Sequence, residues 1–405
     1  MSEYEGPLKG TKVIDLSSYL AGPMCCRILG ELGADVIKVE PLEGDPARYF
    51  GRTYRIPYDE DENAIFDTAS YNKRSLVVDM KSEKGAGIIH KLLENTDVLV
   101  TNYRNNALVK LAMTYELLAP KYPRLVYGYI NGFGEKGPLA NKPGFDYTAY
   151  WARGGIMGML GEPDAPPLTS FSGFGDNPTG AFLALGICAA LFGREKTGKG
   201  DKVVSSLYLS AIHNVGLNLV AANYLELKKR SRKAPVIPFS NAYQCKCGKW
   251  IALTILEFER YFKPLYKILG REELIEDDRF NTYAASIENT VVITSVFDEI
   301  FATKTREEWM PLLDSIDVTY ELVFTYNDII ADEQAIVNNF LYKAETGNGK
   351  KIMMPTIPVQ CKSVVKRPYK PAPKLGEHTQ EILRDIGYGM EDIKQFEKER
   401  VIKMR

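Results

Sequence analysis

The chain has 405 residues, more than one ordinary domain holds, which predicts two domains or one elaborated large domain. Lys and Arg number 51 and Asp and Glu number 52, and the net charge of −1 excludes a general electrostatic attraction for nucleic acid. The longest apolar run has about a dozen residues, short of the ~20 that a membrane helix requires, which argues against a membrane protein.

The first 40 residues predict one β-α-β unit, with strands at Lys12–Leu16 and Asp35–Glu40 around a helix at Pro23–Leu32. The pattern then recurs, with strands at Ser75–Met80, Asp97–Val100 and Arg124–Ile130 and helices at Glu83–Asn95 and Asn105–Met113. This alternation predicts a large, doubly wound, Rossmann-like α/β domain. Ligands of such sheets bind beyond the carboxyl ends of the strands, here at Ser17–Ala21, Pro41–Arg48, Asn102–Arg104 and Asn131–Gly134. Neither a dinucleotide fingerprint nor a Walker A sequence is present, so any ligand phosphates are held in another way.

A basic, proline-ended stretch at Leu227–Pro235 is interpreted as a linker or a solvated loop. The following pattern predicts a small α+β domain, and a second exposed connection is expected at Lys362–Lys374. We therefore expect residues 1–226 in the large domain, 227–330 in the small domain and 331–405 in a return to the large domain. The small-domain elements are a strand at Trp250–Leu253 and helices at Glu257–Leu269, Thr290–Phe301 and Arg306–Leu313, and the tail helices are His378–Ile386 and Glu391–Glu399.

The cysteines and the beginning of the chain bear on compartment and metal binding. Six cysteines are too few for a disulfide scaffold at this length, and residues 1–5 are acidic without a signal-peptide core, so a cytoplasmic protein is expected. Cys245–Gly248 resembles half a zinc knuckle, but no second cysteine pair or close histidine follows it. The sequence therefore predicts no metal site.

The most informative segment is Phe171–Gly180, which contains Asp176 and three glycines and precedes an apolar run. Asn177 is a good N-cap and Pro178 a good first residue, so a helix is expected to begin there. The Asp176 carboxylate then lies at the positive end of a helix, where its ionised form is favoured. From the residues alone Asp176 is either a helix cap, the commoner role, or a nucleophile.

Seven further motifs follow one another along nearly the whole chain: Val13–Leu16 with Ala21–Pro23, Gly33–Glu40, Gly44–Arg48, Asn72–Ser75, Gly132–Gly134, Arg194–Gly200 and Leu375–Thr379. In this order they resemble the class III CoA-transferases, the family of formyl-CoA transferase and carnitine CoA-transferase. The resemblance implies that Asp176 is the nucleophile, which attacks an acyl-CoA and passes through a mixed anhydride to an aspartyl-CoA thioester. It further implies acyl-CoA and a small carboxylic acid as partners, no permanently bound cofactor, and an interlocked homodimer.

The family's CoA contacts match these positions: Leu20, Ala21, Asn72, Lys73, Asn102, Lys110, Asn131, Gly132, Phe133 and Gly134. There are three departures from formyl-CoA transferase. Pro41 stands where that enzyme has arginine, and Arg48 is the expected substitute. Lys110 also replaces an arginine, which keeps the charge and loses the bidentate fork. Pro238–Asn241 replaces the glycine-rich lid. Each basic residue taken singly is equally compatible with a solvated surface charge.

Two other functional classes compete with the transferase interpretation. The related α-methylacyl-CoA racemases have a histidine before an aspartate at the position of Phe145-Asp146, and Phe145 cannot carry a proton. A CoA- or nucleotide-binding module without catalysis is the third class, and the nucleophile motif argues against it.

The segment Gly144–Gly155 is similar to the branch that acts on 2-hydroxy acids in amino-acid fermentation, which includes phenyllactate and 2-hydroxyisocaproate CoA-transferases. It implies transfer of CoA from a 2-enoyl-CoA to an (R)-2-hydroxy acid with an apolar side chain. Phe145, Asp146 and Tyr147 are the expected substrate-pocket residues, and ordinary core packing is the alternative for the aromatic ones. Formate or oxalate, carnitine and bile acids remain alternative acceptors, and the residues favour neither an aryl nor a branched alkyl side chain.

Overall fold

The structure, a computed structural model, describes residues 6–362, 364 and 368–405. The chain divides into two compact units. The large unit contains the described residues up to Ile156, Ser170–Val220 and those from Glu333 onwards, and the small unit contains Met157–Thr169 and Ala221–Asp332. The basic stretch Leu227–Pro235 thus falls inside the small unit, and Met157–Thr169 groups with it although the sequence placed this segment in the large domain. The second expected connection, Lys362–Lys374, lies partly outside the described residues.

The large unit is built on a seven-stranded sheet of the described residues in the order β12-β3-β2-β1-β4-β5-β6. Strands β1 to β6 run parallel, and only the edge strand β12 pairs antiparallel, with β3. A small hairpin of β10 and β11 belongs to the same unit. The strands are β1 Lys12–Leu16, β2 Asp35–Glu40, β3 Arg74–Val78, β4 Val98–Thr101, β5 Val126–Asn131, β6 Lys202–Ser206, β7 Ala242–Gln244, β8 Trp250–Leu253, β9 Tyr320–Leu322, β10 Leu341–Glu345, β11 Lys351–Pro355 and β12 Ile402–Lys403.

Helices cover both faces of this sheet, as in doubly wound folds. The helices of both units, in chain order, are α1 Ala21–Glu31, α2 Gly51–Tyr54, α3 Ala64–Ser70, α4 Glu83–Leu93, α5 Asn105–Lys110, α6 Tyr115–Leu118, α7 Ile156–Met159, α8 Asp176–Thr197, α9 Leu207–Asn214, α10 Gly216–Ala221, α11 Phe258–Ile268, α12 Tyr283–Glu288, α13 Thr290–Phe301, α14 Arg306–Asp314, α15 Tyr326–Ala331, α16 Glu333–Val337, α17 Thr379–Asp385 and α18 Met390–Lys398. Short 3₁₀ turns lie at Pro46–Tyr49 and Glu272–Ile275, and a π-helical turn at Asp146–Ala152.

Both faces of the sheet are apolar because successive side chains of each buried strand point to opposite faces. Val13 lies opposite Val36 and Val98 in register and packs with α1 and α8 on one face. The next residue, Ile14, belongs to the core on the other face, with α4, α17 and α18. Alternate residues of one strand thus pack into two different cores, one on each face of the sheet. The predicted α/β class with a large, mostly parallel sheet is confirmed.

The small unit combines an antiparallel β7-β8-β9 sheet with α11 to α14. Its core is aromatic: Tyr243 stacks on Phe301 with ring centroids 5.2 Å apart, and the buried Trp309 donates its indole N–H to the Phe301 carbonyl at 3.0 Å. Among the described residues of both units, no helix is both long and apolar enough to cross a membrane.

The predicted start of the helix that follows Phe171–Gly175 is wrong. Helix α8 begins at Asp176 with Gly175 as N-cap, so Asn177 is its second residue and Pro178 its third. Proline is tolerated throughout the first helical turn because those N–H groups have no partner within the helix, and it therefore does not fix which residue comes first.

Candidate active site

Asp176 is the first residue of α8, and its side chain is partly buried. Gly173 and Gly175 precede it in the chain. A helix N-terminus favours the carboxylate, but burial and, next in size, the negative charge of Asp146 raise the pKa of Asp176 to about 7. Near neutral pH the group is therefore divided between its acid and carboxylate forms, in contrast to the fully ionised group that the helix end alone suggested.

The second carboxyl, Asp146, opens the π-helical turn and is buried. Its Oδ1 accepts a hydrogen bond from the Gly175 main-chain N–H at 2.9 Å, whereas its Oδ2 has no hydrogen-bond partner in the part of the chain that the structure describes. Burial raises the pKa of Asp146, although the N–H groups of Gly175, Gly173 and Phe174 act to lower it. Both acids of the site thus resist ionisation.

Gly175 fits this site because it has no side chain. A Cβ there would lie 2.2 Å from Cγ of Tyr150 and 2.5 Å from Oδ1 of Asp146. Tyr150 is itself held in place, because it is buried and its hydroxyl accepts a hydrogen bond from Nδ2 of Asn214 at 2.5 Å. Phe174 packs edge-on against the Tyr150 ring. The turn before Asp176 is therefore rigidly seated.

The loop after β1 approaches the start of α8 closely. A Cβ on Gly180 would lie 2.6 Å from the Ala21 carbonyl oxygen, and one on Gly173 would lie 3.3 Å from Cδ1 of Leu20. Two of the predicted CoA contacts, Leu20 and Ala21, are thus beside the aspartate. Asn102 is tied to the same loop, since it accepts from the Ser18 N–H at 2.9 Å and donates to the Ser18 carbonyl at 2.7 Å.

The loop after β5 contacts the segment that carries Asp146. Asn131 accepts a hydrogen bond from the Gly134 N–H at 2.5 Å, and a Cβ on Gly132 would lie 2.9 Å from Cα of Gly144. Main-chain contact at that point places Asn131–Gly134, including Phe133, next to the segment that carries Asp146.

Two predicted basic contacts are engaged inside the large unit. The buried Lys73 donates to Oδ2 of Asp15 at 2.7 Å and to the Pro23 carbonyl at 2.8 Å. Arg48 holds Glu40 through Nε and Nη2, at 2.8 and 2.6 Å, and lies over the Phe66 ring. A phosphate bound by either side chain would have to compete with these pairs.

The other predicted contacts are more accessible. Lys110 is exposed in the last turn of α5, and Asn72 adopts φ +60° while exchanging hydrogen bonds with the main chain of Lys370. Phe145 and Tyr147 are exposed by 55% and 46%, so neither buries its ring.

Sequence reasoning missed Tyr19 and Phe50. The Tyr19 ring lies 5.9 Å from Phe50 and 5.2 Å from Phe145, and links three loops at the sheet edge. The position of Tyr19 directly before Leu20 was a usable signal, whereas nothing local marked Phe50. The described residues contain no group of three or more His, Cys, Asp or Glu side chains placed to hold a metal ion.

The large unit thus combines a seven-stranded, mostly parallel sheet with two carboxyl groups close to the start of α8. The chain belongs to CoA-transferase family III, whose family model matches residues 8–379. The prediction of a class III CoA-transferase is therefore confirmed.

Individual relatives cover almost the entire chain. It is 39% identical to the (R)-2-hydroxy-4-methylpentanoate CoA-transferase of Clostridioides difficile, over 98% of this chain and 99% of the relative. It is 36% identical to the cinnamoyl-CoA:phenyllactate CoA-transferase of Clostridium sporogenes, over 98% and 97%. Among solved structures, a CAIB/BAIF family protein from Brucella suis matches with a TM-score of 0.82 and 30% identity, covering 94% of this chain and all of that one.

Proposed function

We propose that this CoA-transferase moves CoA from an acyl-CoA, in particular a 2-enoyl-CoA, to an (R)-2-hydroxy acid with an apolar side chain. The observation that carries the proposal is the partly buried Asp176 at the N-terminus of α8, seated beside Asp146 in a chain that is similar to two transferases named for 2-hydroxy acids.

The proposed reaction is covalent. The Asp176 carboxylate attacks the thioester carbonyl, the C–S bond breaks, and a mixed anhydride and CoA thiolate result. The thiolate attacks the aspartyl carbonyl, which forms an aspartyl-CoA thioester and releases the donor acid. The acceptor carboxylate then attacks this thioester to give a new anhydride, and the returning thiolate takes the acceptor acyl group and frees Asp176. Each step exchanges one acyl bond for another, so neither ATP nor an oxidant is needed.

The main chain supports the charge that develops in these steps. Carbonyl attack creates an oxyanion, and N–H groups near Gly132–Gly134 or Gly173–Gly175 are the proposed donors. Burial of the site also limits hydrolysis of the anhydride and thioester intermediates.

CoA is proposed to lie along the carboxyl ends of the strands. The loops of Leu20-Ala21, Asn102 and Asn131–Gly134 contact the segments that carry Asp176 and Asp146 or are tied to loops that do, and they would meet the pantetheine arm. The exposed Lys110 is the best placed of the proposed cations for a phosphate, because the Lys73 ammonium and the Arg48 guanidinium are already ion-paired. Lys73 and Asn72 remain proposed contacts through their main chain, and Arg48 through its remaining N–H groups.

The acceptor hydroxyl needs a hydrogen-bond partner in the same site. Asp146, whose Oδ2 is buried and unpaired among the described residues, is the proposed partner, with Tyr147 as the second candidate. A buried carboxyl with a raised pKa can donate or accept according to its protonation state.

An interlocked homodimer is proposed as the working assembly. The large unit carries several exposed apolar residues: Leu185 and Phe192 on α8, exposed by 70% and 67%, and Leu209 and Leu217 on α9 and α10. An apolar surface of this kind on one chain is typical of an interface, and a second copy of the chain is the proposed occupant.

The test compares acceptors that differ in one group, with cinnamoyl-CoA as donor and CoA exchange read by mass. (R)-phenyllactate and (R)-2-hydroxy-4-methylpentanoate should react, whereas the same acids without the hydroxyl should react more slowly, by on the order of 10⁴ for a site built to bind it. The S enantiomers and an Asp176→Ala variant are the controls. Equal rates with and without the hydroxyl, or a preference for formate, oxalate or carnitine, would refute the acceptor while leaving the family unchanged.

A further inference from the structure

The large unit contains an apolar cavity of about 630 Å³, whose lining includes the predicted CoA contact Leu20 but none of the expected substrate-pocket residues Phe145, Asp146 and Tyr147. Its walls come from Met24 and Ile28 of α1, Ile65 of α3, Phe182 of α8, and from Phe50 and Ile357. These side chains come from segments far apart in the sequence, which explains why no local pattern indicates the cavity.

The cavity adjoins the proposed nucleophile. Gly173 and Asn177 line it and flank Asp176 in the chain on either side. From Asn177 the lining continues along α8 through Pro178, Ala181 and Phe182. One face of the first turns of α8, directly after Asp176, therefore forms part of the cavity wall. A group attached to a carbonyl carbon at Asp176 is thus adjacent to this apolar space.

The lining offers no free charge to a ligand. Arg27 is the one charged side chain among the described lining residues, and its guanidinium already donates hydrogen bonds to four other groups. It bonds Glu31 at 2.9 Å, the Thr68 carbonyl at 2.6 Å, the Tyr71 hydroxyl and the Pro355 carbonyl. A carboxylate or phosphate would find no unpaired cation there, and because most of the remaining lining is aliphatic or aromatic, an apolar group is the favoured occupant.

We propose that this cavity receives the apolar side chain of the acyl group during transfer, and that Ala181 and Phe182 set the size it accepts. The inference rests on the proposed function for the position of the reacting carbonyl. A cavity of this volume belongs to the range that encloses small organic ligands, and it accommodates an aryl as well as a branched alkyl group. The exposed Phe145 and Tyr147 give no comparable enclosure.

The test measures binding, which does not depend on the acceptor. Unreactive thioether analogues of acetyl-CoA, 4-methylpentanoyl-CoA and 3-phenylpropanoyl-CoA are titrated calorimetrically against the protein and against Ala181→Leu. The unmodified protein should bind the two large analogues about tenfold or more tightly than the acetyl analogue, because more apolar surface is buried. Ala181→Leu should abolish that gain and leave the affinity for CoA and the acetyl analogue unchanged.

The matched control is Ala86→Leu. Ala86 is partly buried like Ala181, and it lies on α4, which packs on the opposite face of the sheet from α8. This variant should retain the full gain. An Ala181→Leu protein that still prefers the large analogues, or an unmodified protein that does not, overturns the cavity assignment. A preserved preference for large acyl groups together with failure of 2-hydroxy acids as acceptors would instead refute the proposed acceptor and keep the cavity.

Discussion

The Gly175 main-chain N–H donates a hydrogen bond to Oδ1 of Asp146 at 2.9 Å, and this bond ties the turn before Asp176 to a segment 29 residues earlier. It brings two carboxyl groups into one poorly hydrated site, where burial raises the pKa of both and the negative charge of Asp146 raises the pKa of Asp176 further.

The first prediction concerns pH. The proposed nucleophile is the carboxylate, so kcat/KM should fall as the pH drops through the raised pKa of Asp176, about 7. Asp146→Asn keeps the acceptor for the Gly175 N–H but removes the like charge, so the acidic limb should move to lower pH. The measurement is the pH profile of kcat/KM for both proteins. Coincident acidic limbs would show that Asp146 does not act on Asp176.

The second prediction concerns covalent catalysis. Asp176→Ala should lower kcat by on the order of 10⁴ or more, because the nucleophile is absent, while leaving the thermal transition intact. Hydroxylamine should label Asp176 in the unmodified protein only when acyl-CoA is present, as read by peptide mass. Asp201→Ala, at an exposed position, is the control and should be fully active. Label on another carboxylate would reject the mechanism.

The third prediction tests the seat of the turn. Gly175→Ala should destabilise the protein by about 1–3 kcal/mol, because its Cβ would overlap the buried Tyr150 ring and Asp146. Gly193→Ala, inside α8 and with open space where its Cβ would stand, should be neutral or stabilising. Urea unfolding of the two variants gives the comparison. Equal stabilities would mean that the loop around Gly175 yields easily.

The fourth prediction separates a structural lysine from a binding lysine. Lys73→Met leaves Asp15 buried without its nearest cation and should cost about 3–5 kcal/mol of stability. Burial would raise the pKa of Asp15, but Lys73 and Lys38 hold it below its usual value. This stabilisation is therefore present above the unfolded pKa and is lost as pH falls through the folded one. The stability difference between the two proteins should shrink in acid.

Lys110→Met provides the contrast, because Lys110 is exposed. It should leave unfolding unchanged and raise KM for acyl-CoA, more at low ionic strength than at high. A Lys73→Met protein of unaltered stability with a raised KM would reverse the two assignments.

Local patterns predicted the frame of the large unit well. Strands β1 and β2 have the predicted bounds, because buried parallel strands are short runs of Val, Ile and Leu that end in turn residues. The proposed role of Asp176 as nucleophile came from the family resemblance, since a helix-start aspartate is by itself more often a cap.

Long-range pairing could not be derived in the same way. Lys73 pairs with Asp15 on β1, and Arg48 pairs with Glu40 on β2. In the sequence each of the two looked like a free cation. The raised pKa of Asp176 depends first on burial and then on the charge of Asp146, and neither is visible in the ten residues around it. Composition and periodicity report on neighbours along an element, whereas these interactions depend on which elements meet.

The last prediction concerns assembly. If two chains interlock through the apolar surface of Leu185, Phe192, Leu209 and Leu217, separation requires unfolding as well as loss of contacts. Sedimentation should then give a dimer even at nanomolar concentration. When affinity-tagged and untagged dimers are mixed, no mixed species should form over hours in native buffer. Mixed dimers should appear after both proteins are unfolded together in urea and refolded, which controls for the ability of the tagged chain to pair. Exchange in native buffer, or a monomer on dilution, would identify an ordinary dissociable contact and rule out the interlocked arrangement.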